Sequence, residues 1–419
     1  MDPTPSASGE AATAEPAATE TPALQLGPSL QLNGVRNRTV FCGQQQGGLH
    51  PNQTFTDVTM PFGFPLLGRQ PLPTTRNNAM SGRVCIVTGA NAGIGKATAT
   101  ALAQRGARVV LACRSPTKCA AACEDIRRRV PGAALDALTL DLSSVDSIRG
   151  FVETFHETGL PLHVLVNNAG IIPGKPGLIR GMEQSMVVNH LGPFLLTHLL
   201  LPDLRKASAT AAAAPASAIG QEDRERSPEN VPGTGPASRI VNVGSRLEKR
   251  GNLWAAAVSD GGGHTAVPPG TRWFQPPGKN HDAFGLYGSS KLCNMLFTFE
   301  LDRRLEAAAA RSRRRRLVTA NIVTPGIVNT KLGDGTVSPW VAWAGAPLKA
   351  ALMRSADKGA ETVVWAATSP EVEEIGGGKF FGDKNEVPCS DASKDEDLAR
   401  QLWEATELAV GLEESERIV

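Results

Sequence analysis

Residues 88–95 have the sequence TGANAGIG, which lies between the apolar run VCIVT at 84–88 and a helical period that starts at Gly95. Glycines at a strand-to-helix turn let the backbone approach a phosphate closely, and the first turn of the helix offers N–H groups without intrahelical partners. A glycine-rich turn alone is a weak signal, because many such turns need glycine only for backbone geometry. Its place after a buried first strand indicates a loop that binds the phosphates of a nucleotide.

The chain after Ser81 alternates short β-rich runs with helical periods, which is typical of a parallel sheet wrapped by helices. A further helix is expected to be capped at Ser143 or Ser144, after which apolar side chains recur at helical spacing. We therefore predict an α/β fold of the Rossmann type, with one doubly wound parallel sheet in a single domain. The predicted strands are 84–88, 108–112, 138–142, 164–167, 239–243 and 318–323, and the predicted helices include 95–104, 186–204 and 287–306.

The composition limits the class of protein. Of the 419 residues, 41% are apolar, which excludes a wholly disordered chain. The 43 basic residues against 41 acidic ones give a net charge of +2, so the overall charge predicts no nucleic-acid partner. Seven cysteines without a CxxC pair favour a reducing compartment over a disulfide scaffold. No metal site is predicted, because Cys119 and Cys123 lack an accompanying pair of histidines.

Three segments lie outside the periodic pattern. Residues 1–79 are predicted to be a disordered, low-complexity extension, residues 206–238 a low-complexity loop inserted in a domain at 80–415, and residues 416–419 a tail. The first 35 residues hold four acids and no Lys or Arg, which fits neither a secretory signal nor an organelle transit peptide. No apolar run reaches the ~18 residues needed to cross a bilayer. We expect a cytoplasmic protein or one bound peripherally to an intracellular membrane, with organelle import left open.

Four later motifs follow the glycine-rich loop along the chain. They are NNAG at 167–170, NHLG at 189–192, Ser245 after the predicted fifth strand, and YGSSK at 287–291. In this order the five motifs resemble the short-chain dehydrogenase/reductase family over residues 80–415. Stretches such as ACRSPTK and VNHLGPFLLTHLLLP are most similar to its retinol dehydrogenase branch. The resemblance implies an oxidoreductase that transfers hydride between a nicotinamide cofactor and a carbonyl or alcohol.

The resemblance also implies which residues contact the cofactor. Asp141, after the third predicted strand, resembles an acid that contacts the adenine, and Asn168 resembles a residue at the cofactor's edge. The full set expected at the cofactor comprises Gly89, Asn91, Gly93, Ile94, Gly95, Arg114, Lys118, Asp141, Leu142, Asn168, Ala169, Gly170, Tyr287, Lys291, Pro325 and Gly326.

The end of the second predicted strand indicates which nicotinamide cofactor is preferred. An NAD enzyme needs an acid there to accept a hydrogen bond from the ribose 2′-hydroxyl, and that acid would repel a 2′-phosphate. Here Cys113 occupies the position and is followed by Arg114, whose planar guanidinium suits a phosphate. Lys118, within one helical turn, and Lys96, beside the glycine-rich loop, add positive charge. We therefore predict NADP, bound as NADPH, as the cofactor.

Tyr287 is the candidate proton donor, and it is the only tyrosine in the chain. Hydride transfer to a carbonyl builds negative charge on its oxygen, so the site needs a proton donor there. Lys291, one helical turn later on the same face, would favour the phenolate and so lower the tyrosine pKa. By resemblance, Lys291 also binds the nicotinamide ribose, Ser245 polarises the carbonyl, and Asn189 supports a water relay that returns the proton. Ser245 lies 42 residues before Tyr287, a longer spacing than in most relatives.

Substrate specificity is expected from residues 327–355, where Trp340 and Trp343 bracket an apolar stretch. We interpret this segment as a lid over an apolar pocket for a small lipophilic aldehyde, ketone or alcohol, such as a retinoid. A surface helix packed on the sheet, or a peripheral membrane contact, would explain the same residues.

Two other functions fit parts of the sequence. The Ser-to-Tyr spacing and the run KLCNM at 291–295 also resemble light-dependent protochlorophyllide reductase, in which Cys293 would neighbour the proton donor. A cysteine packed inside a helix is the alternative for Cys293. A regulatory or scaffold protein that binds NADPH without significant turnover is the second function, and the complete catalytic set argues against it. By resemblance, a homodimer could form through the helices that carry the asparagine and tyrosine motifs.

Overall fold

A sheet of eight strands runs through the part of the chain described by the structure, a computed structural model. The described residues are 79–172, 177–213, 236–253, 271–275, 282–326 and 354–418. The strands of the sheet are β1 (Val84–Thr88), β2 (Arg108–Cys113), β3 (Leu135–Thr139), β4 (Val164–Asn167), β7 (Ser238–Val243), β8 (Val318–Thr324), β9 (Phe380–Gly382) and β10 (Asn385–Glu386), while β5 (Leu178–Ile179) and β6 (Met182–Glu183) form a separate hairpin. Their order in the sheet is β3-β2-β1-β4-β7-β8-β9-β10, and every neighbouring pair is parallel except β9 and β10.

Helices cover both faces of this sheet. They are α1 (Gly93–Gln104), α2 (Pro116–Arg129), α3 (Val145–Glu157), α4 (Gln184–Met186), α5 (Gly192–Ala213), α6 (Ala283–Ser312), α7 (Ala356–Thr368), α8 (Pro370–Ile375) and α9 (Glu396–Val410). Successive side chains of β1 alternate between two apolar clusters, with Ile86 in one and Val87 in the other. Helices α3, α5, α6 and α9 pack on the face of Ile86, and α1, α2 and α7 pack on the face of Val87. The predicted doubly wound α/β fold is confirmed.

The third strand differs from the expected one in its position along the chain. β3 spans Leu135–Thr139 rather than 138–142, because it pairs with β2 from Val109 opposite Leu135 to Cys113 opposite Thr139. Leucines recur at 138, 140 and 142, and all three are buried, so the apolar pattern alone did not show where the strand ends. Helix α1 likewise starts at Gly93, two residues before the expected Gly95.

The predicted insert and tail also need correction. Helix α5 continues through Ala213, so residues 206–213 are helical rather than part of a loop; their small side chains carry no apolar period that would have shown it. Residues 416–418 pack on the domain instead of forming a tail, because Glu416 pairs with Arg149 and Ile418 is buried. The rest of the insert up to residue 235, the extension at 1–78 and residues 327–353 of the predicted lid lie outside the described residues.

Helix α6 carries the YGSSK motif and is 30 residues long. Its first turn is capped by Asp282, whose side chain accepts a hydrogen bond from the N–H of Gly285. It ends at Arg313, which adopts the left-handed conformation. Across the described ranges, neither α6 nor any other helix combines the length and the apolar character that crossing a bilayer requires.

An aromatic cluster joins α9 to α5 and α6 and buries a histidine. Trp403 of α9 meets Phe194 of α5 edge-on, with ring centroids 5.0 Å apart, and His198 stacks on Phe194 with centroids 4.1 Å apart. Burial lowers the pKa of His198 to about 4, and burial likewise lowers the pKa values of His190 and His163 to about 4. The folded protein therefore holds three imidazoles in their neutral form at neutral pH.

We expect acid to destabilise the protein through these imidazoles. A histidine with a folded pKa of about 4 and an unfolded pKa of 6.5 takes up a proton on unfolding, so the free energy of unfolding falls as pH decreases from 6.5 towards 4. Without His198, in the His198→Leu protein, up to one fewer proton is taken up on unfolding. The slope of the unfolding free energy against pH should therefore decrease by as much as about 1.4 kcal/mol per pH unit. Urea unfolding across this pH range measures the slope.

His156→Leu on α3 is the matched control, because the His156 side chain is half exposed and bonds Asp203 at 2.9 Å. The control should flatten the slope less than His198→Leu does. A His198→Leu protein with the same slope as the wild type would contradict the assignment of buried, neutral His198.

Candidate active site

The glycine-rich loop closes tightly because three of its glycines occupy positions where a side chain would be strained or would clash. Gly89 and Gly93 have φ angles of +66° and +54°, in the left-handed region. A Cβ on Gly95 would lie 2.5 Å from the carbonyl oxygen of Gly89, far inside contact distance. The N–H of Gly89 also donates to the carbonyl of Ala112 at the end of β2, at 2.8 Å. The loop therefore lies directly over the carboxyl ends of β1 and β2.

The N-terminus of α1 follows this loop and has no side-chain cap. Ala92 occupies the cap position with extended backbone (φ −157°), and it has no side chain that could accept a hydrogen bond. The N–H groups of Gly93, Ile94 and Gly95 in the first turn can therefore bind an external acceptor, and the helix dipole favours an anion there. Asn91 is partly exposed in the same loop. These features fit the pyrophosphate of a dinucleotide.

Thr88, at the end of β1, ties the loop to the end of β4. Its hydroxyl accepts from the N–H groups of Asn168 and Ala169, each at 3.0 Å, and donates to the carbonyl of Val166 at 3.4 Å. The amide of Asn168 donates to the carbonyl of Thr88 at 2.8 Å. Strand order reverses between β1 and β4, which is where doubly wound sheets bind their ligands. Asn168 and Ala169 thus lie against the glycine-rich loop.

Gly170 continues from this junction to the catalytic candidates. A Cβ on Gly170 would lie 3.3 Å from Oδ1 of Asn189 and 3.7 Å from Nζ of Lys291. The structure therefore brings Asn189 and Lys291 to the edge of the loop, although long stretches of sequence separate all three.

Tyr287 and Lys291 lie one turn apart on α6, and both are buried. The Nζ atom of Lys291 is 5.4 Å from the ring centroid of Tyr287 and donates to the carbonyl of Val243 at 2.8 Å. Burial lowers the pKa of Lys291 to about 8. Burial raises the pKa of Tyr287, contrary to the lowering expected from Lys291, and the hydrogen bond from the Ser245 hydroxyl acts against this rise. In the ligand-free protein, burial therefore favours the neutral form of each group.

Ser245 meets Tyr287 because it caps a short 3₁₀ helix, Arg246–Arg250, that packs on α6. The Ser245 hydroxyl accepts from the N–H of Leu247 at 3.2 Å. A Cβ on Gly288 would lie only 2.6 Å from the carbonyl of Leu247, so the glycine after Tyr287 permits this close packing. The 42-residue spacing does not separate the two hydroxyl groups.

Asn189 lies in a π-helical turn, Val187–Leu191, between α4 and α5. Its Nδ2 donates to the carbonyl of Ile171 at 2.9 Å and to the hydroxyl of Ser290 at 3.0 Å, and its Oδ1 accepts from the N–H of Ile171 at 2.8 Å. Both amide hydrogens are used within the protein, which leaves one acceptor position on Oδ1 for a water. Irregular turns of this kind are frequent at functional sites.

The two cations expected at a 2′-phosphate lie beyond the end of β2. Arg114 follows that strand and Lys118 lies in the first turn of α2, and both are exposed. Neither side chain forms an ion pair with another residue in the described ranges. Lys96 departs from the expectation, because its ammonium group pairs with Asp125 of α2. That pairing commits Lys96 to the contact between α1 and α2, so it is not available to the loop.

Asp141 and Leu142 follow β3 at the same edge of the sheet. Oδ1 of Asp141 accepts from the N–H and the hydroxyl of Ser143, at 2.9 and 2.6 Å. Leu142 is buried. A Cβ on Gly192 would lie 2.8 Å from the Cβ of Leu142, so the two residues are in close contact. Leu142 thus links the turn after β3 to the start of α5, and Asp141 remains at the surface of the site.

Pro325 and Gly326 follow β8, and Gly326 has a φ angle of +76°. Gly326 lies beside Arg354: a Cβ on Gly326 would be 3.2 Å from the guanidinium carbon of Arg354. Asp383 holds Arg354 in place, with Nη2 and Oδ2 3.0 Å apart. Gly326 and Arg354 are the described residues that flank 327–353, and they are neighbours in space. Trp340 and Trp343 lie outside the described residues.

Sequence reasoning missed three groups of this site. The hydroxyl of Ser290 donates to the carbonyl of Tyr287 at 2.7 Å and accepts from Asn189. Thr88 had a usable signal, a hydroxyl at the last position of a strand before a glycine. The carbonyl of Val243 had none, because any residue supplies that group.

Cys293 lies on α6 but away from Tyr287. It is fully buried in the apolar cluster, its Sγ is 3.9 Å from the Sδ of Met186, and burial raises the pKa of its thiol. It is a packed helix cysteine, so the light-dependent reductase alternative is not favoured.

Comparison with known proteins gives a consistent result. The family described as short chain dehydrogenase matches residues 83–228, which include the first three motifs. Polyprenol dehydrogenase of Mus musculus is 35% identical over 329 residues, covering 77% of this chain and 82% of the relative. Retinol dehydrogenase 14 of Homo sapiens is 34% identical over 355 residues, covering 80% of this chain and 88% of the relative.

A solved structure shares the fold as well. An uncharacterised protein from Mycobacterium paratuberculosis aligns with a TM-score of 0.53 and 27% identity, over 79% of this chain and 94% of that one. The sequence similarity to the two dehydrogenases extends over most of their length. The chain therefore belongs to the short-chain dehydrogenase/reductase family of oxidoreductases, in its retinol dehydrogenase-like branch.

Proposed function

We propose that this protein is an NADP(H)-dependent oxidoreductase that interconverts a lipophilic aldehyde or ketone and its alcohol. The observation that carries the proposal is the buried contact of Tyr287 with Ser245 and Lys291, at the edge of the glycine-rich loop. A proton donor, a hydrogen-bond donor for the carbonyl and a cation are thereby within one site.

The preference for NADPH rests on charge at the end of β2. Cys113 ends that strand, so no carboxylate stands where the ribose 2′-hydroxyl would bind. Arg114 and Lys118 are exposed there. Neither forms an ion pair with another described residue, and two such cations favour a 2′-phosphate over a hydroxyl.

NADPH, when bound, supplies the hydride. The hydroxyl of Tyr287 donates its proton to the carbonyl oxygen as negative charge develops there. Ser245 accepts its hydrogen bond from Leu247 and so keeps its own proton to donate, to Tyr287 without substrate and to the carbonyl oxygen with it.

Lys291 acts on the tyrosine and on the ribose. Its ammonium, near the ring of Tyr287, stabilises the phenolate that remains after proton transfer. One of its hydrogens is held by the carbonyl of Val243, and the other two can bind the ribose hydroxyls. Asn189 positions Ser290 and the turn at Ile171, and its Oδ1 can accept from a water that returns the proton to Tyr287.

The relatives and one apolar side chain support the proposed substrate class. Two relatives are named for lipophilic alcohols, polyprenol and retinol. Phe284, one turn before Tyr287 on the same side of α6, is 39% exposed and offers apolar surface next to the tyrosine. A lipophilic carbonyl compound could contact this ring while its oxygen reaches Tyr287.

We expect Tyr287→Phe to lower the rate of carbonyl reduction far more than the affinity for NADPH. Loss of the proton donor should lower kcat by ~10²–10⁴-fold. NADPH consumption by purified protein with a panel of lipophilic aldehydes and ketones, including retinal, measures the rate. NADPH fluorescence measures the affinity.

Ser312→Ala, which removes a hydroxyl at the far end of α6, is the control and should keep wild-type activity. Undiminished turnover by Tyr287→Phe would overturn the assignment of Tyr287. Tight NADPH binding by the wild type without turnover of any carbonyl would instead support a binding or scaffold function.

We expect Arg114→Ala to weaken NADPH binding and to leave NADH binding nearly unchanged. Loss of a charged hydrogen bond to the 2′-phosphate should raise the Kd of NADPH by ~10–100-fold. Arg128→Ala, at the opposite end of α2, is the matched control and should change neither Kd. Equal losses for NADPH and NADH in Arg114→Ala would show that this residue does not select the cofactor.

We expect kcat/KM for NADPH to fall as pH rises through about 8. This ratio reports the ligand-free enzyme, in which Lys291 loses its positive charge near that pH. Lys291→Arg keeps the charge and should move the fall to higher pH, though with a lower maximum because the guanidinium is larger. A wild-type profile that stays flat through this range would contradict a charged Lys291 in NADPH capture.

A further inference from the structure

Glu248 is a buried carboxylate three residues after Ser245, in the 3₁₀ helix Arg246–Arg250. Glu248 is fully buried, and among the described residues no cation forms an ion pair with it. Its two oxygens instead accept from Ser390, Oε1 from the N–H at 3.0 Å and Oε2 from the hydroxyl. Because burying a carboxylate is costly unless its oxygens are bonded, Ser390 is the group that makes this burial possible.

Ser390 belongs to the segment between β10 and α9, and that segment is itself fixed. The hydroxyl of Ser393 donates to the carbonyl of Ser390 at 2.7 Å, and the N–H of Ser393 donates to the hydroxyl of Ser390 at 3.3 Å. Helix α9 begins a few residues later and packs on α6. Glu248 therefore joins the 3₁₀ helix to the C-terminal part of the domain.

The opposite side of the 3₁₀ helix rests on α6, next to Tyr287. A Cβ on Gly251 would lie 2.7 Å from the carbonyl of Gly288, so the two backbones are in close contact. Ser289 donates to the carbonyl of Asn252 at 2.9 Å and accepts from its N–H at 3.0 Å. The 3₁₀ helix is thus held from both sides, by α6 and by Ser390.

The position of this helix decides where the Ser245 hydroxyl lies. Ser245 caps the helix, its hydroxyl is fixed by the N–H of Leu247, and its carbonyl accepts from the N–H of Glu248 at 3.1 Å. A shift of the helix away from Ser390 would therefore carry Ser245 with it and lengthen its hydrogen bond to Tyr287. A displacement near 1 Å at a reacting group is enough to lower a rate by ~10²-fold.

We propose that Glu248 is a positioning residue, which holds the Ser245 hydroxyl against Tyr287 by clamping the 3₁₀ helix to Ser390. The proposal rests on the proposed function for its kinetic consequence, since Ser245 and Tyr287 act there on the carbonyl oxygen. Its structural consequence, the hydrogen bond between the two hydroxyls, can be measured without any substrate.

The kinetic test is a double-mutant cycle between Glu248 and Ser245. Glu248→Ala should lower kcat by ~10–100-fold and Ser390→Ala by ~3–10-fold, with the Kd of NADPH within about threefold of the wild type. In a Ser245→Ala background, Glu248→Ala should cause less than about a twofold further loss, because the group that it positions is already absent. Glu407→Ala is the matched control, since Glu407 is a buried carboxylate on α9 that accepts from Trp403 at 2.7 Å.

A spectroscopic test does not depend on turnover. Because Tyr287 is the only tyrosine in the chain, protein labelled with [¹³Cζ]tyrosine and carrying no tyrosine in its purification tag gives a single resonance. The shift of that resonance reports the hydrogen bonding of the Tyr287 hydroxyl. Ser245→Ala should move it, Glu248→Ala should move it in the same direction, and Glu407→Ala should leave it in place.

The outcomes separate the two proposals. A resonance unmoved by Glu248→Ala, or an equal fold loss of kcat with and without Ser245, would overturn the clamp. A resonance that moves as expected, in a protein that reduces none of the carbonyls tested, would support the clamp and refute the proposed function. If Glu248→Ala lowered the NADPH affinity as well as kcat, the substitution would have disrupted the fold in general, and this result would also overturn the clamp.

Discussion

The hydroxyl of Thr88 is the constraint on which the rest of the site depends. It accepts from two N–H groups of the turn after β4, and its own O–H donates to the carbonyl of Val166 in β4. A single oxygen thus fixes the ends of the two central strands at the point where the strand order reverses. On one side of this junction, Gly89 leads into α1. On the other, Gly170 lies next to Asn189 and Lys291, so the glycine-rich loop and the catalytic candidates share one anchor.

Burial gives the catalytic candidates their resting state. Tyr287 and Lys291 lie in a part of the fold that penalises charge, so the tyrosine holds its proton more firmly and the lysine less firmly than in water. The hydrogen bond from Ser245 works against the first effect. A neutral tyrosine is the form that can donate a proton, and a lysine that titrates near neutral pH can respond to a bound anion. The low-dielectric setting therefore prepares both groups for a reaction in which charge develops on an oxygen.

The residues that sequence reasoning predicted are those whose geometry is local. Tyr287 and Lys291 are four apart on one helix, so their proximity follows from helical geometry alone. Lys96 also stood at a recognisable position, but the direction of its side chain depends on Asp125, which belongs to another helix and had no signal in the pattern. Glu248 was invisible for the same reason, since its partner lies far along the chain. The doubly wound parallel sheet was predictable because alternating apolar runs and helices admit few topologies. The register of β3 was not, because evenly spaced leucines match more than one register.

Helix α9 lies against both α5 and α6, the two helices that carry the asparagine and tyrosine motifs, and Trp403 inserts between their aromatic side chains. The chain's own C-terminal region thus occupies part of the surface through which two copies were expected to pair. Association through the area under α9 would require that helix to detach, and with it the aromatic rings and the buried Ile418. Any assembly of this protein that keeps the fold intact must therefore use a different surface, or only the part of these helices that α9 leaves uncovered.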